Sequence, residues 1–209
     1  MNSLNNTSKQ GTYKPAQKIV ITGHTSGIGK QLQYRLKTAG YEVLGLSRSN
    51  GFDLADTNKV VQAILDFDPD VVFNNAYHPF GQLTLLTHLH KLWTGRQKVI
   101  INTGSVSAYI PNYPNKQYKS AKVAQRDYII RESFFYPHKN MCRLHNVSFG
   151  FVNTKMIAKN SPNFISPAEA ARILSDLIPP QQYVIPEIMV NHLNANPAEV
   201  EGTLRGTHG

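Results

Sequence analysis

Between Lys18 and Lys30 the chain passes from a short apolar run, Lys18-Ile19-Val20-Ile21, through Thr22-Gly23-His24-Thr25-Ser26-Gly27-Ile28-Gly29 into a helical pattern. Apolar or small residues recur at Ile28, Leu32, Leu36 and Ala39, and Gly40 is a stop signal. A buried strand, a glycine turn and a helix in this order restrict the chain to few folds. The glycines allow a tight turn and close backbone approach, and the helix start presents free N–H groups to an anion such as a pyrophosphate. The same alternation continues. Strands are expected at 18–22, 42–46, 70–74, 98–102, 141–149 and 182–185. Helices are expected at 27–38, 56–67, 82–93, 117–136 and 167–177. Alternating elements point to a parallel sheet covered on both faces.

At 209 residues the chain fits one α/β domain with a substantial core. We expect a disordered N-terminal tail over 1–17, a single domain over 18–195 and a C-terminal tail over 196–209. Residues 1–17 lack the apolar stretch of a signal peptide, and no run approaches a membrane span. The single cysteine, Cys142, excludes an intrachain disulfide framework and suits a reducing, cytoplasmic setting. The net charge of +9 is spread from Lys9 to Arg205 with no run of four basic residues. That distribution argues against nucleic acid as a partner and for a positive potential that attracts small anions. Neither helix-spaced histidines nor paired cysteines occur, so no metal site is expected.

A second constellation lies downstream. Tyr118 and Lys122, at i and i+4 of an expected helix, project from one face. A cation beside a phenol favours the phenolate and lowers its pKa, fitting it for proton transfer. Ser105, thirteen residues before Tyr118, can hold a substrate oxygen.

Thr22, Gly23, Gly27 and Gly29 together with Ser105, Tyr118 and Lys122 resemble the short-chain dehydrogenase/reductase family. Val71-Val72-Phe73-Asn74-Asn75-Ala76 looks like that family's strand ending in Asn-Asn-Ala-Gly, with Tyr77 in place of the glycine. Phe149-Gly150-Phe151-Val152-Asn153-Thr154 looks like its Pro-Gly-x-x-x-Thr segment, with Phe149 in place of the proline. The likeness runs from about Lys18 to about Glu187. It implies a Rossmann-like, doubly wound parallel sheet with helices on both faces. The fold would be shortened, because only Ser49–Phe52 separates Arg48 from Asp53 where the family commonly inserts a helix and a strand.

The resemblance implies an oxidoreductase that moves a hydride between nicotinamide and a small carbonyl or alcohol substrate. Ser105, Tyr118 and Lys122 would be catalytic. Cofactor contacts would come from Thr22, Gly23, Thr25, Ser26, Gly27, Ile28 and Gly29 in the turn, and from Asn75 and Ala76 after the third strand. Tyr118, Lys122, Gly150, Val152 and Thr154 would reach the nicotinamide end, and Asp53 and Leu54 the adenine. At the end of the second strand, Ser47 stands where an NAD-binding acid would, followed by Arg48 and Ser49. Guanidinium and hydroxyls are phosphate-binding groups, so NADP (as NADPH) is expected over NAD. Relatives pair through the tyrosine-bearing helix, so a homodimer or homotetramer is expected.

One family feature is absent. A proton-relay asparagine usually precedes the serine strand, yet none lies between Ala76 and Ile101. Thr84, Thr87, His88 and His90 are the candidates to replace it. The alternative function is a cofactor-binding regulator or scaffold with little turnover. Tyr109 and Tyr113 are expected to wall the substrate pocket, and Lys155 and Lys159 to favour an anionic substrate.

Overall fold

The computed structural model describes residues 17–135, 141–157, 160–178 and 184–195. Six parallel strands form one sheet: β1 (Lys18–Thr22), β2 (Glu42–Leu46), β3 (Val71–Asn74), β4 (Val99–Ser105), β5 (Arg143–Phe149) and β6 (Glu187–Val190). Their spatial order is β2-β1-β3-β4-β5-β6. Five α-helices are described: α1 (Gly27–Thr38), α2 (Thr57–Phe67), α3 (Gly81–Leu92), α4 (Lys116–Phe135) and α5 (Pro167–Ser175). This is the helix-covered parallel sheet expected from the alternating pattern, in the Rossmann-like architecture that the resemblance implies.

The central strands are apolar on both faces because helices cover both. Ile19, Ile21, Phe73, Ile101 and Val147 pack with Leu32 and Leu36 of α1 and Leu174 of α5. Val20, Val72, Ile100 and Leu144 meet Val60 and Ile64 of α2, Leu85 and Leu89 of α3 and Ile129 of α4. The start of α5 is set by a reciprocal capping box between Ser166 and Glu169, with Pro167 in the first turn. Among the described residues, no helix is long and apolar enough to cross a membrane.

The shortening has a definite structural form. Two short 3-10 turns, Arg48–Asn50 and Leu54–Asp56, replace a helix and a strand, which leaves β2 as the edge of the sheet. Other boundaries shift. β4 runs on to Ser105, so that residue closes a strand and does not sit in the loop beyond it. The last strand is Glu187–Val190, not 182–185. Residues 184–185 are irregular and 182–183 lie outside the described residues. Pro186 explains this, because it has no N–H to give a ladder. Its carbonyl instead accepts the Asn146 N–H at 3.0 Å, and pairing begins one residue later with Asn146 opposite Glu187. The expected tails fall outside the described residues except for Gln17, whose N–H donates to the Asp70 carboxylate at 2.7 Å.

Strand order reverses between β1 and β3, which opens a crevice at the carboxyl ends of the strands. Thr22 and Asn75 fix its floor. The Thr22 hydroxyl accepts the N–H groups of Asn75 (2.9 Å) and Ala76 (3.0 Å) and donates to the Phe73 carbonyl at 3.3 Å. The Asn75 amide returns a bond to the Thr22 carbonyl at 3.1 Å and accepts from the Thr103 hydroxyl at 3.2 Å. Three neighbouring strand ends are thereby held at one level.

Candidate active site

A cleft of about 1000 Å³ lies over this floor. It collects Ser105, Tyr118 and Lys122 and every other residue expected from the sequence to touch a cofactor except Gly29. Gly29 acts from beneath. A Cβ there would collide with the Gly23 carbonyl, so glycine lets the first turn of α1 close onto the loop. Gly23 itself has φ +72°, and a Cβ on it would lie 3.1 Å from the Ala76 Cα. The Ser26 side chain makes no capping bond and the first turn of α1 carries no acid. Its backbone donors are therefore available to an anion in the cleft.

At one end of the cleft lies the turn after β2. Ser47 is buried, and its hydroxyl stands 2.8 Å from that of Ser49 and 3.1 Å from the Asn50 side-chain oxygen. Arg48 beside them is exposed toward the opening. Asp53 is a helix cap, accepting the Ala55 N–H at 3.0 Å.

At the other end, α4 begins where the Asn115 side chain accepts the Tyr118 N–H at 2.9 Å. This cap puts Tyr118 in the first turn and Lys122 one turn deeper. Tyr118 is ringed by aromatics, with Tyr77 edge-on at 4.9 Å and Tyr113 at 6.0 Å between centroids. Burial pushes its phenol up to about 12, the hydrogen bond with Ser105 pulls it down, and Tyr113 and Tyr77 push it further up. The expected lowering of the Tyr118 pKa by Lys122 is not found. The phenol is held protonated.

Lys122 is 4% exposed, and its ammonium donates to the Gln82 side-chain oxygen and the Thr103 carbonyl, both at 2.7 Å. It stands 5.6 Å from the Tyr118 ring and 5.8 Å from that of Tyr77. Burial brings its pKa down to about 7. Two acceptors engage two of its three N–H donors, leaving one for the cleft.

Gln82 is the residue that the sequence search missed. None of the four relay candidates reaches Lys122. The hydroxyls of Thr84 and Thr87 bond back to carbonyls of their own helix turn, His88 is exposed, and His90 is buried against Tyr128 at 2.9 Å. Where relatives carry an asparagine, the longer side chain of a glutamine reaches the lysine directly. The available signal was an asparagine in each of three expected strands, at Asn74, Asn102 and Asn146. Of the expected aromatic wall, Tyr113 lines the cleft, whereas Tyr109 lies under the Arg126 guanidinium at 4.7 Å. Lys155 lines the cleft, and Lys159 lies outside the described residues.

Known proteins share this fold. Residues 17–80 match the RmlD substrate binding domain family. A curated protein of Bacillus subtilis (strain 168), the spore coat polysaccharide biosynthesis protein SpsK, is 36% identical over 59 residues. That match covers 28% of this chain and only 20% of the relative. Solved structures extend the likeness. The 3-alpha-hydroxysteroid dehydrogenase from Pseudomonas sp. B-0831, complexed with NADH, superposes with a TM-score of 0.70 at 22% identity, covering 83% of this chain and 95% of that one. A short chain dehydrogenase from Burkholderia cenocepacia J2315 in complex with NADP gives 0.69 at 20% identity, covering 91% and 94%. The alcohol dehydrogenase of the archaeon Thermococcus sibiricus, complexed with 5-hydroxy-NADP, gives 0.66 at 18% identity, covering 87% and 98%. The chain has the fold of the short-chain dehydrogenases/reductases.

The Lys122 environment makes a prediction about stability. A lysine held at about 7 when folded and near 10.5 when unfolded binds fewer protons in the folded state between those values. Its contribution therefore makes the fold more stable as pH rises from about 7 toward 10. Removing it by Lys122→Met should change urea stability most favourably below pH 7, with the difference from wild type shrinking toward pH 10. A difference independent of pH would contradict the buried, depressed lysine.

Proposed function

We propose that this protein is an NADP-dependent oxidoreductase that reduces the carbonyl group of a small molecule. The observation that carries the reading is one cleft with a protonated tyrosine, a serine and a buried lysine at one end and Arg48 with Ser47 and Ser49 at the other. The fit to a dinucleotide rests on the glycine cradle at Gly23 and Gly29 and on the uncapped start of α1.

A bound nicotinamide would supply the hydride that goes to the carbonyl carbon. The chain's own groups do the rest. Ser105 donates a hydrogen bond to the carbonyl oxygen and orients it. Tyr118, held protonated by burial, gives its proton to that oxygen as negative charge develops there. An alcohol results, and the phenolate left on Tyr118 must be reprotonated. Lys122 stabilises that phenolate as a nearby cation, and its third N–H serves a ribose hydroxyl or the phenol. Thr154, whose side chain abuts Gly27, lies on the same side of the cleft and supports a contact to the carboxamide. Arg48, with no acid beside it on the strand end, supports 2′-phosphate recognition. Self-association through α3 and α4, and a cytoplasmic setting, complete the reading.

The alternative regulator reading draws on Tyr77, whose ring stands against Tyr118 where relatives carry a glycine. Tyr118→Phe separates the two. It should lower carbonyl reduction by roughly 10²–10⁴-fold while leaving NADPH affinity intact. If wild type binds NADPH and reduces no member of a broad aldehyde and ketone panel, the regulator reading prevails. Cofactor choice is tested by fluorescence titration. NADPH should bind more tightly than NADH, and Arg48→Ala should weaken NADPH alone by roughly 10- to 100-fold, the value of a charge-assisted hydrogen bond. Equal or NADH-favoured binding by wild type would overturn the NADP assignment.

A further inference from the structure

A row of polar side chains crosses the buried helix-covered face of the sheet at one level. Asn74 of β3 is the register partner of Asn102 of β4, which opposes Asn146 of β5, which opposes Glu187 of β6. The three asparagines are at most 1% exposed, and two positions earlier on the same face of each strand stand the buried Val72, Ile100 and Leu144. Buried amides of this kind cost stability unless bonded, and these are bonded to one another.

One series of these bonds runs in a single direction, from Lys122 to Glu187. The Lys122 ammonium donates to Gln82 Oε1 at 2.7 Å. Gln82 Nε2 donates to Asn102 Oδ1 at 3.2 Å, Asn102 Nδ2 to Asn146 Oδ1 at 2.6 Å, and Asn146 Nδ2 to Glu187 Oε2 at 2.8 Å. Gln125 braces the first link with bonds that run the opposite way, accepting from Asn102 at 3.3 Å and donating to Gln82 Oε1 at 3.1 Å. Groups that can only accept fix the orientation at both ends. Gln82 Nε2 also donates to the backbone carbonyls of Asn74 (2.6 Å) and Thr103 (3.2 Å), which turns its oxygen toward Lys122. Asn74 Nδ2 donates to the Gln82 carbonyl at 2.8 Å and to Asn102 Oδ1 at 3.1 Å. At the far end, the Glu187 carboxylate compels Asn146 to present its amide hydrogens. Three amide dipoles therefore lie head to tail between an ammonium and a carboxylate.

We propose that Glu187, on the edge strand β6, is the remote counter-charge of Lys122, coupled to it through the aligned amides of Gln82, Asn102 and Asn146. Glu187 and the three amides are positioning residues, since they touch no reacting atom. The inference rests on the reading that Lys122 serves the proton-transfer site. Among the described residues no carboxylate pairs with Lys122 directly. The groups that face it are Tyr118 on its own helix, Tyr77 after β3, Gln82 on α3 and Thr103 on β4. Around Glu187 stand Asn146 and Ser148 of β5 and the Tyr109 hydroxyl, with the Arg126 guanidinium of α4 over the Tyr109 ring. Burial brings Lys122 down to about 7, close enough to neutral pH that a distant anion linked by polarised bonds would shift how much of it is charged.

The test follows Lys122 itself in full-length protein carrying 13C,15N-labelled lysine, with its side-chain resonance identified by its loss in Lys122→Met. Glu187→Gln keeps an acceptor for Asn146 and removes only the charge. Across two strand spacings, roughly 10 Å, it should lower the Lys122 titration midpoint by on the order of one pH unit. Gln82→Glu, which brings a carboxylate into contact, should raise the midpoint. Gln82→Met keeps Glu187 but cuts the first link, and should lower it. Circular dichroism confirms that each variant is folded, and should Gln82→Met not fold, Glu187→Gln and Gln82→Glu still decide. A midpoint unchanged in folded Glu187→Gln overturns the proposal, since a purely structural anchor would change thermal stability and leave the lysine titration alone. The readout needs no turnover, so an inactive protein that still shows the shift would overturn the enzymatic reading and leave the coupling standing.

Discussion

The arrangement at the carboxyl ends of the strands depends on how a lysine ammonium is kept inside the protein. Lys122 is buried between α4 and β4, and two acceptors, the Gln82 side chain and the Thr103 carbonyl, hold it. Burying a cation without a contacting anion is costly, and the protein meets that cost with a bonded polar layer. The layer dictates local sequence. Asparagines replace aliphatic residues at one level of β3, β4 and β5, and a glutamine enters the first turn of α3.

The same layer locates the groups proposed to react. Thr103 bonds Asn75 through its hydroxyl and Lys122 through its carbonyl, so the strand that ends at Ser105 touches both the crevice floor and the buried cation. Tyr118 lies one helical turn above Lys122, with the ammonium 5.6 Å from its ring centroid. The tyrosine stays protonated because burial and two neighbouring tyrosines disfavour the phenolate. These features favour proton donation over abstraction, which is why reduction is the direction we assign. Loss of the edge strand beyond β2 leaves this machinery untouched, because the crevice lies between β1 and β3.

Much of this was legible in the sequence, for a physical reason. A glycine turn between an apolar run and an amphipathic helix admits few backbones, so Thr22–Gly29 announced both the fold and the cleft floor. The Ser105, Tyr118 and Lys122 spacing announced which side chains converge. What escaped was set by long-range packing. Tyr77 looked like a lost glycine, but its ring lies against Tyr118. Gln82 looked like an ordinary first-turn residue of α3, because its partners lie on β3, β4 and α4. The electrostatics of Tyr118 were also misjudged, since helical spacing predicts proximity to a cation but says nothing about desolvation. The last strand lies at Glu187–Val190 and not at 182–185, because Pro186 has no N–H for the ladder and pairing starts after it.

In the proposed reaction, Tyr118 gives up its proton as hydride arrives in this cleft. The most direct test incubates the intact protein with NADPH deuterated at the transferable C4 position and a panel of aldehydes and ketones. The products are then examined by mass spectrometry. Deuterium on the carbinol carbon of at least one product is the predicted result. Saturating NADPH binding with no deuterium transferred to any carbonyl would contradict it.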